Sequence, residues 1–547
     1  MSSGEAGQGP GRTCLVRWLL VVTLVAAAGC TNGGGAVSPG PSGGTGGGVA
    51  RQGRSGGALS IALLDPGPLD PAQADGLEDE VVLGNLFDGL TTIDPSGAVH
   101  PAVAVSWTSD PALRRWEFHL RPEARWSDGS PLRSTDFTYA WHRLADPKTK
   151  PAPSQAARAL LSAVTGYRSF AAGRARSITG LETPNPTTLV VQLDQPFADL
   201  PAMVAALPLS PLPATVARPD PAAYLTRPVG NGPFRLPAPA RPGRSMTLDR
   251  NPTYWSSPAL LDKVSVHVVP DEQTAWLELQ NGRVSFAPIP PDQLAAARTV
   301  YGPSADGRTT PGLLQSSTLT TWQLTFNLKS KLGRDPHWRQ AVSLAIDRDR
   351  LATAMAGSPA TSLVPSATPG FVVGSPSGTA PDCPVCTYNP TKARALFAKP
   401  GSSGGPVTLA APAGADGRRI ATLVAADLTA AGVKLAAIKV ASASPPSGRT
   451  PVTLVRRVAP YPRPDPFLAT PSLSSPPAKR LLDQARATPD DPARATLYQQ
   501  AEATILTDLT TTPLLTEHHT AVLTPGPQGF NLTPWNTVDL ATISLPT

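Results

Sequence analysis

Segments with the two-residue period of β-strands are interspersed along this chain with segments that have the 3.6-residue period of α-helices. Alternating apolar residues predict strands near Trp116–Leu120, Leu189–Leu193, Val264–Val268 and Trp322–Leu328, and a short apolar run predicts a buried strand at Leu59–Leu64. Because the two kinds of segment are mixed throughout and not separated into blocks, the chain is expected to form an α/β fold.

The predicted helices have recognisable first and last residues. In Asp335-Pro336 and Asp491-Pro492 an acidic residue precedes a proline, a combination that is typical of helix starts. Thr135 is expected to cap the helix that follows it. Another helix is predicted to begin at Asp271 and to end near Asn281-Gly282.

The N-terminal residues have the pattern of an export signal. Two arginines precede the apolar run Trp18–Ala28, which is too short to span a bilayer and ends at Gly29-Cys30. This ending resembles the bacterial lipobox, in which the Cys thiol receives a diacylglyceryl group, although the usual Leu is replaced by Ala27. We therefore expect a lipoprotein signal peptide at residues 1–29 and lipidation of Cys30. A signal peptide cut elsewhere, with an incidental Cys30, is the alternative.

The residues after Cys30 lack the composition of a folded domain. Residues 30–56 are mostly Gly, Ser, Pro, Ala and Thr, which together bury little apolar surface. Such a segment is typical of a flexible tether. It would hold the folded part of the chain away from the outer face of the cell membrane.

Composition and motifs exclude several kinds of function. The 547-residue chain carries a net charge of +7 without a cluster of Lys, Arg and aromatic residues, so nucleic acid is not an expected partner. No Walker A loop, H-E-x-x-H motif, EF-hand loop or catalytic set can be found from spacing. Glu517-His518-His519 is interpreted as a polar surface segment, since adjacent residues point apart and chelate a metal poorly. We expect no enzyme activity, no metal and no cofactor.

Two further cysteines, Cys383 and Cys386, remain after export. Outside the cytoplasm, cysteines this close usually pair. Zinc would need two more ligands, and no His or Cys lies nearby to supply them. A redox motif would need a thioredoxin-like βαβ context, whereas the surrounding loop is rich in proline. We rank a structural disulfide first, free thiols second, and a metal or redox site last.

Short segments from about Gly56 to about Leu515 follow one another in a characteristic order. The segments are Leu69–Ala72, Asn85–Thr92, Pro101–Trp107, Trp116–Arg121, Trp126–Leu132, Thr135–Trp141, Pro228–Phe234, Leu248–Trp255, Phe326–Leu328 and Arg339–Asp347. In this order they resemble the family 5 solute-binding proteins, the peptide and nickel class of extracytoplasmic receptors.

The resemblance implies an α/β fold of the periplasmic-binding-protein type, class II, in which two lobes trap a ligand and an extra subdomain is present. The chain would cross between the lobes more than once, so the lobes would be discontinuous and would close at hinges. The expected order after the tether is lobe 1 part a at 57–92, the extra subdomain at 93–205, lobe 1 part b at 206–312, lobe 2 at 313–510 and lobe 1 part c at 511–547.

One segment departs from the family pattern. Peptide-binding relatives often carry W-x-x-D-Y-P-D-P, whose first Asp pairs with the α-amino group of the peptide. Here Arg457, Pro460 and Arg463 stand in place of the Trp and the two Asp residues. Proline cannot form the pair, and the two cations would repel an ammonium group. The amine anchor is therefore expected to be lost or to have moved to Asp465.

The resemblance implies a receptor of an ABC importer that captures a peptide or similar organic solute and delivers it to the permease. A monomer is expected, lipid-anchored at the extracytoplasmic face of the cell membrane. A receptor-fold envelope lipoprotein with a non-transport interaction or regulatory role is the alternative, motivated by the altered segment Arg457–Phe467. The expected ligand contacts are Tyr461, Arg463, Asp465, Asn85, Phe234, Phe326 and Asn327.

Overall fold

The computed structural model describes residues 54–546 apart from residues 75, 219, 372–382, 400–405, 442–449 and 470–474. The predicted signal peptide, the tether as far as residue 53 and Cys30 lie outside the described residues. Within the described part of the chain, no helix combines the length and the apolar character that crossing a membrane requires.

The strands range from two to fifteen residues. In chain order they are β1 (Ala58–Leu63), β2 (Thr91–Ile93), β3 (Val99–Pro101), β4 (Ala104–Ser109), β5 (Arg115–Leu120), β6 (Leu181–Asn185), β7 (Thr188–Gln192), β8 (Phe234–Arg235), β9 (Met246–Arg250), β10 (Lys263–Val268), β11 (Phe286–Pro288), β12 (Gly312–Phe326), β13 (Ser358–Pro359), β14 (Val407–Pro412), β15 (Leu435–Ala441), β16 (Val452–Val458) and β17 (Thr511–Leu523).

The α-helices lie between these strands throughout the described part of the chain. They are α1 (Leu77–Leu86), α2 (Ser134–Ala145), α3 (Gln155–Ala159), α4 (Tyr167–Ala171), α5 (Leu200–Met203), α6 (Ala214–Ala217), α7 (Pro221–Thr226), α8 (Glu272–Gln280), α9 (Leu294–Tyr301), α10 (Lys331–Arg334), α11 (Pro336–Ala345), α12 (Arg348–Ala354), α13 (Pro390–Phe397), α14 (Ala415–Ala430), α15 (Asp465–Leu468), α16 (Pro476–Arg486) and α17 (Asp491–Asp508).

The largest sheet mixes parallel and antiparallel pairs. Its strand order is β15-β14-β16-β12-β17-β11-β1-β10-β9-β8, with β13 attached to β17. Strand β1 runs parallel to β10 and β11, and β14 runs parallel to β15 and β16. A separate antiparallel sheet, β4-β5-β7-β6, and the pair β2-β3 lie within residues 91–192.

Two large hydrophobic cores lie in different parts of the big sheet. The first core joins β1 and β10 to the four-stranded sheet and includes the buried Trp126 and Trp141. The second core packs β12, β14 and β16 against α11 and α14 and includes Trp322 and Trp338. Burial of such side chains from water stabilises each part separately.

Strands β12 and β17 connect the two cores. Leu314 and Leu523 at one end of the pair belong to the first core, while Leu324 and Leu514 at the other end belong to the second. The register of the pair is interrupted between Ser317 and Thr321 and again after Trp322. Such irregularities bend and twist a strand locally, so the pair is weakest as a rigid connection near its middle.

Most predicted strands and helix starts are confirmed. Strands β1, β5, β7 and β10 lie where alternating or apolar residues indicated them, and β12 ends at Phe326, two residues before the predicted end. The side chain of Asp335 caps α11 by accepting a hydrogen bond from the His337 N–H at 3.0 Å. Asp271 caps α8 in the same way through the Thr274 N–H at 2.7 Å.

The predicted cap at Thr135 is wrong. Helix α2 begins one residue earlier, at Ser134, and its N-cap is Arg133. The carboxylate of Asp136 reaches back and accepts the Arg133 N–H at 2.9 Å. An acidic residue at the third helical position therefore satisfies the backbone donor that precedes the helix.

The prediction that Glu517-His518-His519 forms a polar surface segment is also wrong. These residues lie in β17, which is an interior strand of the large sheet, and His519 is buried. Trp322 Nε1 donates to the Glu517 carboxylate at 2.7 Å, and Arg456 pairs with the same carboxylate at 2.8 Å. Among the described residues, no group of His, Cys, Asp and Glu could hold a metal ion.

The loop before α13 carries Cys383 and Cys386, whose sulfur atoms are bonded to each other. Both residues are buried. The carbonyl oxygen of Cys386 accepts a hydrogen bond from the Arg348 guanidinium at 2.7 Å. Burial lowers the pKa of Arg348 to about 9, so this cation depends on its hydrogen bonds to carbonyl and hydroxyl oxygens.

Candidate ligand-binding site

A cleft of about 600 Å³ opens beside the middle of β12. This volume is in the range that encloses a short peptide or an organic molecule of similar size. The lining comes from α1, residues 91–95, 100–102, 205–208 and 254–256, Leu319 and Thr320 of β12, residues 458–462 and residues 533–539. Two separate clusters contribute, since Phe87 and Tyr461 belong to the first core, while Leu319 and Ala459 belong to a further cluster that includes residues of α16 and α17.

Close backbone packing holds the end of α1 at the edge of the cleft. The Gly232 N–H donates to the Leu86 carbonyl oxygen at 2.9 Å. A Cβ atom on Gly230 would lie 1.9 Å from the same oxygen. Only glycine permits this approach, so the glycine-containing turn of the family motif fixes the position of the α1 wall.

Asn85, one of the expected ligand contacts, lies on α1 and lines the cleft. Its side-chain amide donates to the carbonyl oxygens of Val81 at 2.9 Å and Val538 at 2.8 Å. Its Oδ1 accepts the Leu540 N–H at 3.0 Å. These bonds tie α1 to the C-terminal part of the chain and use the hydrogen-bonding capacity of the amide.

Tyr461 also lines the cleft and packs among the residues of the first core. Burial, with smaller effects of Asp465 and Asp199, raises the pKa of its phenol well above the ordinary value. The side chain therefore stays neutral at physiological pH. It brings the segment after β16 into contact with the opposite wall of the cleft.

Arg463 and Asp465 belong to a buried network of charges. Arg463 and Arg494 lie 3.5 and 3.1 Å from the carboxylate of Asp199. Arg486 holds Asp465 through two hydrogen bonds of 2.7 and 3.1 Å, and the proximity of Asp465 raises the pKa of Arg486. Neither Arg463 nor Asp465 is among the described residues that line the cleft.

The remaining predicted contact residues lie away from the lining. Phe234 is fully buried in the first core. Phe326 packs in the second core, with its ring 5.8 Å from that of Trp338. Asn327 donates to the Thr450 carbonyl oxygen at 3.2 Å and accepts the Lys329 N–H at 3.0 Å. The structure thus brings together Asn85 and Tyr461 at the cleft, and not the other predicted residues.

Three polar side chains at the cleft were missed by the sequence reasoning. Glu80 of α1 lines the cleft, and burial together with the charge of Asp79 raises its pKa from 4.5 to about 8. Asn531 Oδ1 and Trp255 Nε1 are buried atoms of lining residues, without a hydrogen-bond partner among the described residues. In the sequence, Glu80 is simply the last of three acidic residues in the first turn of a helix, where acidic residues are common.

The charged groups of the lining are predominantly acidic. Among the described residues, no Lys or Arg lines the cleft. The lining includes four acidic residues, which are Glu80, Asp88, Asp94 and Asp539. Asp94 accepts hydrogen bonds from Ser96 at 2.6 Å and His100 at 2.7 Å. Although burial opposes the shift, these bonds lower the pKa of Asp94 to about 2. The cleft therefore favours positively charged groups of a ligand.

Comparisons with known proteins agree with this geometry. A family model described as bacterial extracellular solute-binding proteins, family 5 Middle, matches residues 98–479. The chain is 27% identical over 291 residues to the periplasmic oligopeptide-binding protein OppA of Haemophilus influenzae, with 52% of each chain covered. It is 30% identical over 320 residues to the probable deoxycholate-binding periplasmic protein YgiS of Escherichia coli, with 56% of each chain covered.

The chain spans about half the length of the curated relatives it matches. The structural likeness extends further. The structure of the Escherichia coli murein tripeptide binding protein MppA matches with a TM-score of 0.70 and 24% identity, covering 91% of this chain and 99% of that chain. This likeness shows the fold, an α/β two-lobe fold of the periplasmic-binding-protein type, and the fold predicted from the sequence is confirmed.

Proposed function

Because the chain belongs to the bacterial extracellular solute-binding proteins of family 5, we propose that it is the receptor of an ABC importer. It captures a peptide or similar organic solute in the cleft and delivers it to the permease. The observation that carries this proposal is the cleft of about 600 Å³, which lies beside the middle of β12 and draws its lining from the first core and from a separate cluster that includes Leu319 and Ala459. No catalytic role is part of the proposal.

The long strands β12 and β17 supply a physical basis for closure of the cleft on a solute. They connect the cores, and their pairing is interrupted between Ser317 and Thr321, next to the lining residues Leu319 and Thr320. If one core rotated against the other, the backbone dihedral angles would need to change mainly between Ser317 and Thr321. The cleft would therefore widen or narrow as the two parts of the sheet move.

The proposal includes the anchor and the organisation of the chain. The signal-like residues 1–29 support export, and the tether at 30–56 supports attachment to the outer face of the cell membrane through lipidated Cys30. A monomer with lobe 1 at 57–92, 206–312 and 511–547, lobe 2 at 313–510 and an extra subdomain at 93–205 completes the proposal.

A thermal-shift screen of the purified protein tests the proposed function. The library contains short peptides with free amino termini, their N-acetylated forms, bile acids and other small metabolites. A solute at 100 times its Kd should stabilise the protein by about 2.7 kcal/mol. For a folded part of this size, that corresponds to a rise in Tm of about 2–3 °C.

The same screen separates the receptor from the alternative function. A rise in Tm with a member of the library supports solute capture. No rise with any member contradicts solute capture and favours the envelope lipoprotein with an interaction or regulatory role. A rise in Tm with a metabolite but with no peptide would support the receptor function and would exclude a peptide as the solute.

A further inference from the structure

The carboxylates of the cleft differ in what already binds them. Asp94 is engaged by Ser96 and His100, and Asp539 accepts the Ala541 N–H at 3.0 Å as a cap of the following turn. The Glu80 carboxyl has no hydrogen-bond donor and no cation within ion-pair distance among the described residues. Glu80 can therefore pair with a ligand without losing a protein partner.

The neighbouring residue on the same helix face leaves room for a ligand group. A Cβ atom on Gly84, one turn further along α1, would lie 3.7 Å from Glu80 Oε2. Because Gly84 has no side chain, the space beside this carboxyl is not filled by the helix itself. Both residues line the cleft.

Two further buried atoms lack protein partners in the same cleft. Asn531 Oδ1 is an acceptor that can bind a donor of the ligand, and Trp255 Nε1 is a donor that can bind a carbonyl oxygen. Buried polar atoms without a partner are costly, so both atoms would gain from a hydrogen bond to a bound solute. An ammonium group supplies three donors, whereas a peptide bond supplies a carbonyl oxygen.

We propose that the cleft receives a primary ammonium group of its solute and that Glu80 is the carboxylate that pairs with it. This inference rests on the proposed function, because it names the chemistry that the receptor recognises. A carboxylate held in a partly desolvated site forms a short, charge-assisted hydrogen bond with an ammonium group. The anchor thus stands on α1 and not in the segment Arg457–Phe467.

Pairing at Glu80 is coupled to a proton. The other charged and titratable groups of its helix turn and of the cleft lining are Glu78, Asp79, Asp88, Asp94, His100 and Asp539, and of these Asp79 raises the pKa of Glu80. With a pKa of about 8 in the empty cleft, Glu80 carries a proton at pH 7. An ammonium group pairs with the ionised form, so binding releases this proton to the buffer, and the affinity rises as the pH rises toward 8.

Matched ligands and matched variants test the inference by titration calorimetry. The probes are a mixture of tripeptides with free amino termini, the same tripeptides N-acetylated, and 1,5-diaminopentane as a non-peptide source of ammonium. The variants are Glu80→Gln and, as a control with the same substitution on the same helix outside the cleft lining, Glu78→Gln. Each titration is carried out at pH 6 and pH 7.

The expected results are specific. Free-amine ligands bind the unsubstituted protein and Glu78→Gln about tenfold more tightly at pH 7 than at pH 6, because the ionised fraction of Glu80 rises by that factor. Glu80→Gln removes this gain and weakens binding at pH 7 about 10- to 100-fold. Tighter binding of the tripeptides than of the diamine identifies a peptide α-amino group, and the reverse order identifies a non-peptide amine.

Three results would overturn the inference. Equal affinity of Glu80→Gln and the unsubstituted protein would remove Glu80 as the anchor while leaving the receptor function in place. Equal affinity for free and N-acetylated tripeptides, with no binding of the diamine, would show that the cleft does not recognise an ammonium group. No binding of any probe, together with no thermal stabilisation in the screen, would overturn the proposed function and the inference with it.

Discussion

Two regions that border the cleft treat their charged residues in opposite ways. In the segment Arg457–Phe467, the cation of Arg463 lies beside Asp199, and the carboxylate of Asp465 is held by Arg486. On α1, the Glu80 carboxyl lines the cleft and has no partner among the described residues. The first region uses Arg463 and Asp465 to hold the protein together, whereas the second keeps the Glu80 carboxyl available for a ligand.

The contrast between these two regions shows that a charged residue is weak evidence for a ligand contact, even when it lies in a segment that binds the ligand in a family. Arg463 and Asp465 lie in or beside the segment that the family resemblance led us to expect at the ligand, yet both are paired with partners from other parts of the chain. A ligand-pairing group is better recognised by the lack of a protein partner next to a cavity, because its charged form is costly there until a ligand pairs with it.

The largest expected effect comes from Asp199, the carboxylate that Arg463 and Arg494 share. Replacing it with alanine in Asp199→Ala leaves two buried cations without this partner and should lower the free energy of unfolding by about 3–5 kcal/mol. Urea denaturation measures the loss. The exposed pair Lys479–Asp483 is the control, and Asp483→Ala should cost about 0.5 kcal/mol or less. Equal losses in both variants would contradict a structural role for the network.

A smaller effect is expected from Asp465→Asn, which removes the charge that Arg486 binds through two hydrogen bonds. The free energy of unfolding should fall by about 1.5–3 kcal/mol. The preference for free over N-acetylated peptides should stay within about twofold, because the two sites are independent. Loss of that preference would show that the amine anchor had moved to Asp465 after all.

The α1 wall is tested by Gly230→Ala, which places a methyl group against the Leu86 carbonyl oxygen. We expect a loss of about 1–3 kcal/mol in the free energy of unfolding, since the backbone must shift. Gly84→Ala on the same wall is the control. Its Cβ atom would meet Glu80 Oε2 at an ordinary 3.7 Å, and alanine favours the helix by up to about 1 kcal/mol. A lower free energy of unfolding for Gly84→Ala, together with no change for Gly230→Ala, would contradict the close packing of Gly230 against α1.

Local patterns in the sequence predicted much of the fold. The alternating residues of β5 and β10 and the caps Asp271 and Asp335 depend on neighbours a few positions away, which a reader of the sequence can see. The prediction of a cap at Thr135 was wrong because the next residue, Asp136, accepts the hydrogen bond from the Arg133 N–H at the start of the helix. The order of the family motifs supplied the two-lobe fold, which local periodicity alone does not contain.

The candidate site was less predictable because its chemistry depends on contacts between distant parts of the chain. The sequence contains Arg463 but does not indicate that Asp199 binds it. It contains the acidic run of α1 but does not indicate that the third residue, Glu80, lines a cavity. Asn85 and Tyr461 lie in the motifs and line the cleft, and Asn85 already has its hydrogen bonds within the protein.

The number of protons released on binding tests the contrast between the two regions most directly. It is obtained at pH 7 from binding enthalpies of a free-amine tripeptide in two buffers with different ionisation enthalpies. The unsubstituted protein and Asp465→Asn should release most of one proton per bound ligand, because Glu80 with a pKa of about 8 must ionise, and Glu80→Gln should release almost none. A release that persists in Glu80→Gln, or that disappears in Asp465→Asn, would contradict the account.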